Sequence, residues 1–191
     1  MADGLLLLDR DGVILRHVEP YILDHDQVEF VPGSVETMRA VAAAGIRIAV
    51  VSNQSPVGRG LVEASFVAEV NERITEATGL DSRRLAYFMC PHLPDDGCEC
   101  RKPRPGLVTS ALEHFGCQGT EAVLVGDHDT DMLAGRAATV SRCIHVLSGR
   151  QKHPSRHADL VRPSLAAARS DVLDLGGPHE THDPQSREGV Q

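Results

Sequence analysis

The stretch Leu5-Leu6-Leu7-Leu8-Asp9-Arg10-Asp11-Gly12-Val13 constrains the fold more than any other. Four consecutive apolar side chains suit a short strand covered on both faces, as in a parallel sheet. That strand runs straight into two acids one residue apart, which places charge at its C-terminal end. In open α/β sheets this rim is where ligands bind. Gly12 lets the chain turn away at once and leave both carboxylates facing one small volume. Two acids so close repel, and a divalent cation relieves them.

The rest of the chain repeats the alternation. Residues 13–30 lack a sustained period and read as an irregular flap over the rim. Pro32-Gly33-Ser34 predicts a turn with Ser34 as N-cap, then a helix carrying Val35, Met38, Val41 and Ala42 and stopped by Gly45. Residues 46–51 predict a strand that ends in Ser52-Asn53-Gln54-Ser55, and 56–60 a glycine-rich loop. A long amphipathic helix is expected over 61–78, a strand over 85–89 and a helix over 107–115. The run 122–125 predicts a fourth buried strand ending in Gly126-Asp127-His128-Asp129-Thr130-Asp131, followed by a helix near 130–138 and a short last strand near 143–147. This order gives a Rossmann-like three-layer α/β/α fold with a mainly parallel sheet. One domain is expected over 1–175, with a helix within 163–175 and a disordered tail at 176–191, rich in Gly, Pro, His, Asp and Glu.

With 191 residues and 41% hydrophobic content, the chain is long enough for a substantial core, and 3% aromatics without Trp make that core aliphatic. A formal charge of −8 argues against nucleic-acid binding, which rests on cationic neutralisation of phosphates. The N-terminal apolar run is too short for a signal peptide and no stretch is long enough to span a membrane, so a cytoplasmic protein is expected. No long apolar surface pattern is visible, which leans towards a monomer.

Three of five cysteines fall between Cys90 and Cys100. Cys90-x-His92, then five residues, then Cys98-x-Cys100 offers three thiolates and one imidazole, a set that can close a tetrahedron around Zn²⁺. Such a full site folds a loop that has no core of its own and does no chemistry. A nucleic-acid zinc ribbon would need a second knuckle and a different charge. Cys117 and Cys143 read as small core or surface residues, and His145, His153, His157, His179 and His182 as ordinary strand or surface histidines.

Three strand ends thus point polar groups at one edge, Asp9 with Asp11, Ser52 with Asn53, and Asp127 with Asp131, while Arg101-Lys102 arrives on a loop before a helix. A carboxylate attacking a phosphate dianion needs a metal ion and a lysine to offset like charge, and a second acid can protonate the leaving oxygen. Asp9-Arg10-Asp11-Gly12-Val13, Ser52-Asn53-Gln54-Ser55, Lys102-Pro103 and Val125-Gly126-Asp127 with Asp131 resemble, in order, the four motifs of the haloacid dehalogenase superfamily of phosphatases. Within it, the chain looks like the capless branch of heptose bisphosphate and histidinol phosphatases, whose zinc loop has the spacing seen here. The resemblance implies Asp9 as nucleophile and Asp11 as general acid and base. It implies Ser52 and Lys102 on the phosphoryl group, and Mg²⁺ on the Asp9 carboxylate, the Asp11 carbonyl and Asp127, with Asp131 in support.

Asn53, Arg59 and Arg101 are expected to contact substrate, Arg59 because its flanking glycines let the backbone approach a ligand. The Ser52 to Gly60 segment looks more like the heptose enzymes, although Pro56 and His128 stand where that branch usually has Gly and Lys. The substrate implied is a small phosphorylated sugar, foremost a heptose 1,7-bisphosphate cleaved at C7. Histidinol phosphate and a specialised sugar phosphate stay open as alternatives, as does a catalytically silent, zinc-stabilised binding protein.

Overall fold

The computed structural model describes residues 4–176. The expected tail therefore lies outside the described residues except for Gly176, which closes a 3-10 turn at Asp174–Gly176. Six strands, β1 (Leu5–Leu8), β2 (Arg47–Asn53), β3 (Leu85–Cys90), β4 (Ala122–Gly126), β5 (Arg142–Val146) and β6 (Leu160–Arg162), form one sheet. The sheet order is β3-β2-β1-β4-β5-β6, and every adjacent pair is parallel. The chain winds outward from β1 to β3, then returns to the other side of β1 with β4. The reversal makes the β1/β4 junction the switch point, where a crevice opens at the strands' C-terminal ends.

Alternation within β1 explains why all four leucines are apolar. Leu6 and Leu8 pack with Met38 and Val41 of α1 (Ser34–Ala43), Val70 and Ile74 of α3 (Ala64–Thr78) and Val172 of α6 (Arg169–Leu173). Leu5 and Leu7 face Val108, Ala111 and Leu112 of α4 (Gly106–Phe115) and Met132 of α5 (Asp129–Ala137). Each of the four is wholly buried, and burial of such a side chain contributes roughly 1.5–3 kcal/mol. The strand that carries the acids is therefore firmly held on both faces. Among the described residues no helix is long and apolar enough to cross a membrane.

Several local expectations need correction. Ser34 is the first residue of α1, and Gly33, at φ +78°, occupies the cap position; the Ser34 hydroxyl instead donates to the Ile14 carbonyl and ties the flap to the helix. Residues 55–58 form a one-turn helix, α2 (Ser55–Gly58), because Pro56 lies in the first turn, where it removes no helical hydrogen bond. The helix expected from 61 begins at Ala64 and leaves Leu61 half exposed. Strand β5 is not the last, since β6 pairs beyond it.

Candidate active site

Three strand ends, those of β1, β2 and β4, and three loops converge on a cavity of about 530 Å³. The backbone N–H of Asp9 continues the β1/β4 ladder by donating to the Val125 carbonyl, so its side chain emerges in the switch-point crevice. Lys102, only 3% exposed, reaches across from the loop before α4. Its Nζ lies 2.7 Å from Asp9 Oδ1, 2.6 Å from Asp131 Oδ1 and 2.7 Å from the Val51 carbonyl, which occupies all three ammonium protons. Asn53 holds that lysine's backbone from both sides, its Oδ1 accepting from Lys102 N and its Nδ2 donating to Lys102 O. Asn53 lines the cavity, but its amide is committed to placing Lys102.

One oxygen from each of Asp9, Asp127 and Asp131 lies within 4.8 Å of the others. Three carboxylates and one ammonium leave two negative charges in a buried volume, which is the charge and donor set a divalent cation fits. Burial pushes the Asp9 carboxyl well above its ordinary value, against the pull of Lys102 and with the push of Asp131, Asp127 and Asp11. Burial, then the charge of Asp131, raises Asp127 in the same way. Burial alone would lower the Lys102 ammonium, but Asp131 and Asp9 outweigh it and raise its pKa.

Asp11 faces the same cavity under different control. The Arg10 guanidinium, 2% exposed, forks onto both its oxygens at 3.0 Å, and Gln54 Nε2 donates to Oδ2 at 3.0 Å. Gln54 also accepts from Arg10 and donates to Ser52 Oγ at 2.7 Å, so one buried amide links Asp11, Arg10 and Ser52. Burial pushes the Asp11 carboxyl up, but the Arg10 charge and these hydrogen bonds overcome it and hold the pKa below the ordinary value. Sequence reasoning missed Arg10 and Gln54 as site residues; a basic residue between two acids was the available signal.

The sequence of this chain, with an aspartate nucleophile candidate clamped by lysine at the switch point, also matches known proteins over most of its length. A family model for haloacid dehalogenase-like hydrolases matches residues 2–139. The chain belongs to the haloacid dehalogenase-like hydrolases. The D-glycero-beta-D-manno-heptose-1,7-bisphosphate 7-phosphatase of Pseudomonas aeruginosa is 37% identical over 178 residues, covering 91% of this chain and 99% of that protein. The enzyme of the same name from Escherichia coli K12 is 33% identical, covering 84% and 89% of the two chains. Among solved structures, the D,D-heptose 1,7-bisphosphate phosphatase of Bordetella bronchiseptica, complexed with magnesium and phosphate, superposes with a TM-score of 0.78. It is 27% identical and covers 90% of this chain and 98% of that one.

Beside the hydrolase site, Cys90, His92, Cys98 and Cys100 present their ligand atoms to one point. Cys90 Sγ lies 3.7 Å from Cys98 Sγ and 3.5 Å from His92 Nδ1, and Cys100 Sγ lies 3.3 Å from the same nitrogen. A tetrahedral zinc at ordinary bond lengths requires separations of about 3.8 Å between sulfurs and about 3.6 Å between sulfur and nitrogen. The four residues therefore fit Zn²⁺, and the loop they close leads directly into Arg101 and Lys102. Arg101 Nη1 donates to Ser55 Oγ at 2.8 Å and to the His92 carbonyl, tying the loop to α2. Arg59 sits apart: it is the C-cap of α2, is exposed and is not among the residues that line the cavity.

His145 lies on a strand, as expected, and meets a partner that its spacing did not show. It is wholly buried on β5, and its Nε2 lies 3.0 Å from the Asp127 carbonyl. A polar residue inside the apolar run Cys143-Ile144-His145-Val146 was the signal in the sequence.

Proposed function

We propose that the chain is a Mg²⁺-dependent phosphatase that cleaves the C7 phosphate of a heptose 1,7-bisphosphate through an aspartyl-phosphate on Asp9. The observation that carries this reading is the 2.7 Å contact of Lys102 Nζ with Asp9 Oδ1 inside a cluster of acids at the switch point. The free oxygen of Asp9 attacks phosphorus and the bond to the sugar oxygen breaks. That oxygen takes the proton of Asp11 as it leaves. A water then attacks the aspartyl-phosphate and gives its proton to Asp11, releasing phosphate. The donors from Arg10 and Gln54 suit the second step, in which Asp11 starts ionised. In the first step Asp11 must take up a proton and shed one of them.

Ser52 would hold the transferring group by its hydroxyl and Lys102 by its charge, since its three protons are taken by Asp9, Asp131 and the Val51 carbonyl; Asp9, the Asp11 carbonyl and Asp127 would hold Mg²⁺, with Asp131 orienting Lys102. Mg²⁺ when bound neutralises the carboxylates and the phosphoryl oxygens. Support for a second anionic group on the substrate comes from the outer cavity, which is lined by Arg101, Arg104 and Arg150. It has no acid besides Asp9, Asp11, Asp127 and Asp131 among the described lining residues. A bisphosphate suits that rim, and the cationic head of histidinol phosphate does not. The names of the relatives from Pseudomonas aeruginosa and Escherichia coli favour the same substrate.

The test is phosphate release from heptose 1,7-bisphosphate and from histidinol phosphate with zinc-replete protein and Mg²⁺. Turnover of the bisphosphate at C7, lost in Asp9→Asn, is the expected result. Turnover of histidinol phosphate with none of the bisphosphate refutes the substrate, and turnover unchanged in Asp9→Asn refutes the chemistry.

A further inference from the structure

Asp127 is tied at every polar atom but one. Its backbone N–H donates to Asp131 Oδ2, and its carbonyl accepts from His145 Nε2 at 3.0 Å and from Gln151 N at 3.3 Å. Ser155 N donates to His145 Nδ1, which fixes the proton on Nε2 and makes that nitrogen the donor. On the side chain, Oδ2 accepts the Arg150 backbone N–H. The same oxygen is wedged between two glycines: a Cβ built on Gly149 would stand 1.9 Å from it, and one on Gly12 2.3 Å. Ser148 Oγ donates to the Gly12 carbonyl at 2.7 Å and holds the two glycine segments together. Only Oδ1 has no protein partner among the described residues.

We propose that the segment from His145 to Gln151 is a positioning element that sequesters Asp127 Oδ2 and presents Oδ1 alone to the cation. The inference rests on Asp127 being a Mg²⁺ ligand, as in the function proposed above. In this scheme His145 and the turn act on Asp127 through the Gly149 backbone, the Ser148 hydroxyl and the Arg150 backbone N–H, not through the Arg150 side chain that lines the outer cavity. Both lie C-terminal to the stretch matched by the hydrolase family model. A bidentate carboxylate would have to give up the Arg150 amide and push apart two backbones, so the site is built for one oxygen. Groups that orient a metal ligand in this way typically set metal affinity by 10- to 100-fold.

The experiment is calorimetric Mg²⁺ titration of the zinc-replete protein, with thermal melting and zinc content measured on each variant. Gly149→Ala and His145→Leu should each raise the Kd for Mg²⁺ roughly 10- to 100-fold. His145→Gln, which can return a donor to the Asp127 carbonyl, should restore most of the affinity. Ser148→Ala is a milder change for the case that a core variant does not fold, and should raise the Kd several-fold. Folded, zinc-replete variants that bind Mg²⁺ within twofold of the parent overturn the inference while leaving Asp127 as ligand intact. Binding unchanged in Asp127→Asn removes the ligand role itself, and both readings fall.

Discussion

Asp127→Asn should make the Mg²⁺-free protein more stable while removing its response to Mg²⁺. Asp127 is 3% exposed and Asp131 2%, and each offers an oxygen to the cluster that spans 4.8 Å. Two unit charges at that distance repel by about 3 kcal/mol at an effective dielectric near 20. Lys102 compensates Asp9 and Asp131 directly, but no cationic side chain pairs with Asp127 among the described residues. Its pKa is raised, so its ionised form is the one the fold disfavours. Stability of the metal-free protein therefore falls as pH rises through that raised value, and at neutral pH removing the charge is a gain. An asparagine keeps an oxygen for the Arg150 amide. After losses in packing and solvation the gain should be about 1–3 kcal/mol, with each kcal/mol raising Tm by roughly 2–4 °C for a chain of this size. The parent should recover about 2.7 kcal/mol when Mg²⁺ is present at a hundred times its Kd, and the variant nothing. The assay is thermal denaturation in Mg²⁺-free buffer without chelator, which leaves the thiolate site its zinc, and again with Mg²⁺. A variant less stable than the parent without Mg²⁺, or one that gains equally from it, refutes the reasoning.

Gln54→Ala should lower kcat roughly 10- to 100-fold with little change in KM, because it removes the amide that joins Asp11 to Ser52; steady-state kinetics checks this. Cys98→Ser should lose stoichiometric zinc and loosen the loop carrying Lys102, seen as reduced zinc content and faster hydrogen exchange across 90–105. Mg²⁺ affinity should weaken as pH falls, since Asp9 and Asp127 hold protons at pH values above the ordinary 3.8 and the cation must displace them. Titration calorimetry across acidic to neutral pH shows this as a rising Kd.

The parts of the fold written locally were legible in the sequence. Parallel strands buried on both faces leave unbroken apolar runs, so β1 and β4 were visible from Leu5–Leu8 and from Val123 to Val125. The acids, Ser52 and Lys102 stand beside such runs or in short fixed spacings, and the four thiol and imidazole ligands fall within eleven residues. Strand β6 escaped because three half-buried residues at a sheet edge carry no period. Arg10 is Asp11's neighbour in sequence and was open to reading, whereas Gln54 reaches Asp11 across 43 positions and His145 meets Asp127 across 18. Pairings at that separation leave no spacing to read. Arg59, expected to contact substrate, is the C-cap of α2 and is not among the residues that line the cavity.

The central claim is covalent chemistry on Asp9. It is tested most directly by acid-quenched single turnover with heptose 1,7-bisphosphate labelled at the C7 phosphate, followed by peptide mapping. Transient, near-stoichiometric label on the peptide bearing Asp9, absent in Asp9→Asn, is the expected result. Complete turnover with no label there, or with label on another residue, contradicts it.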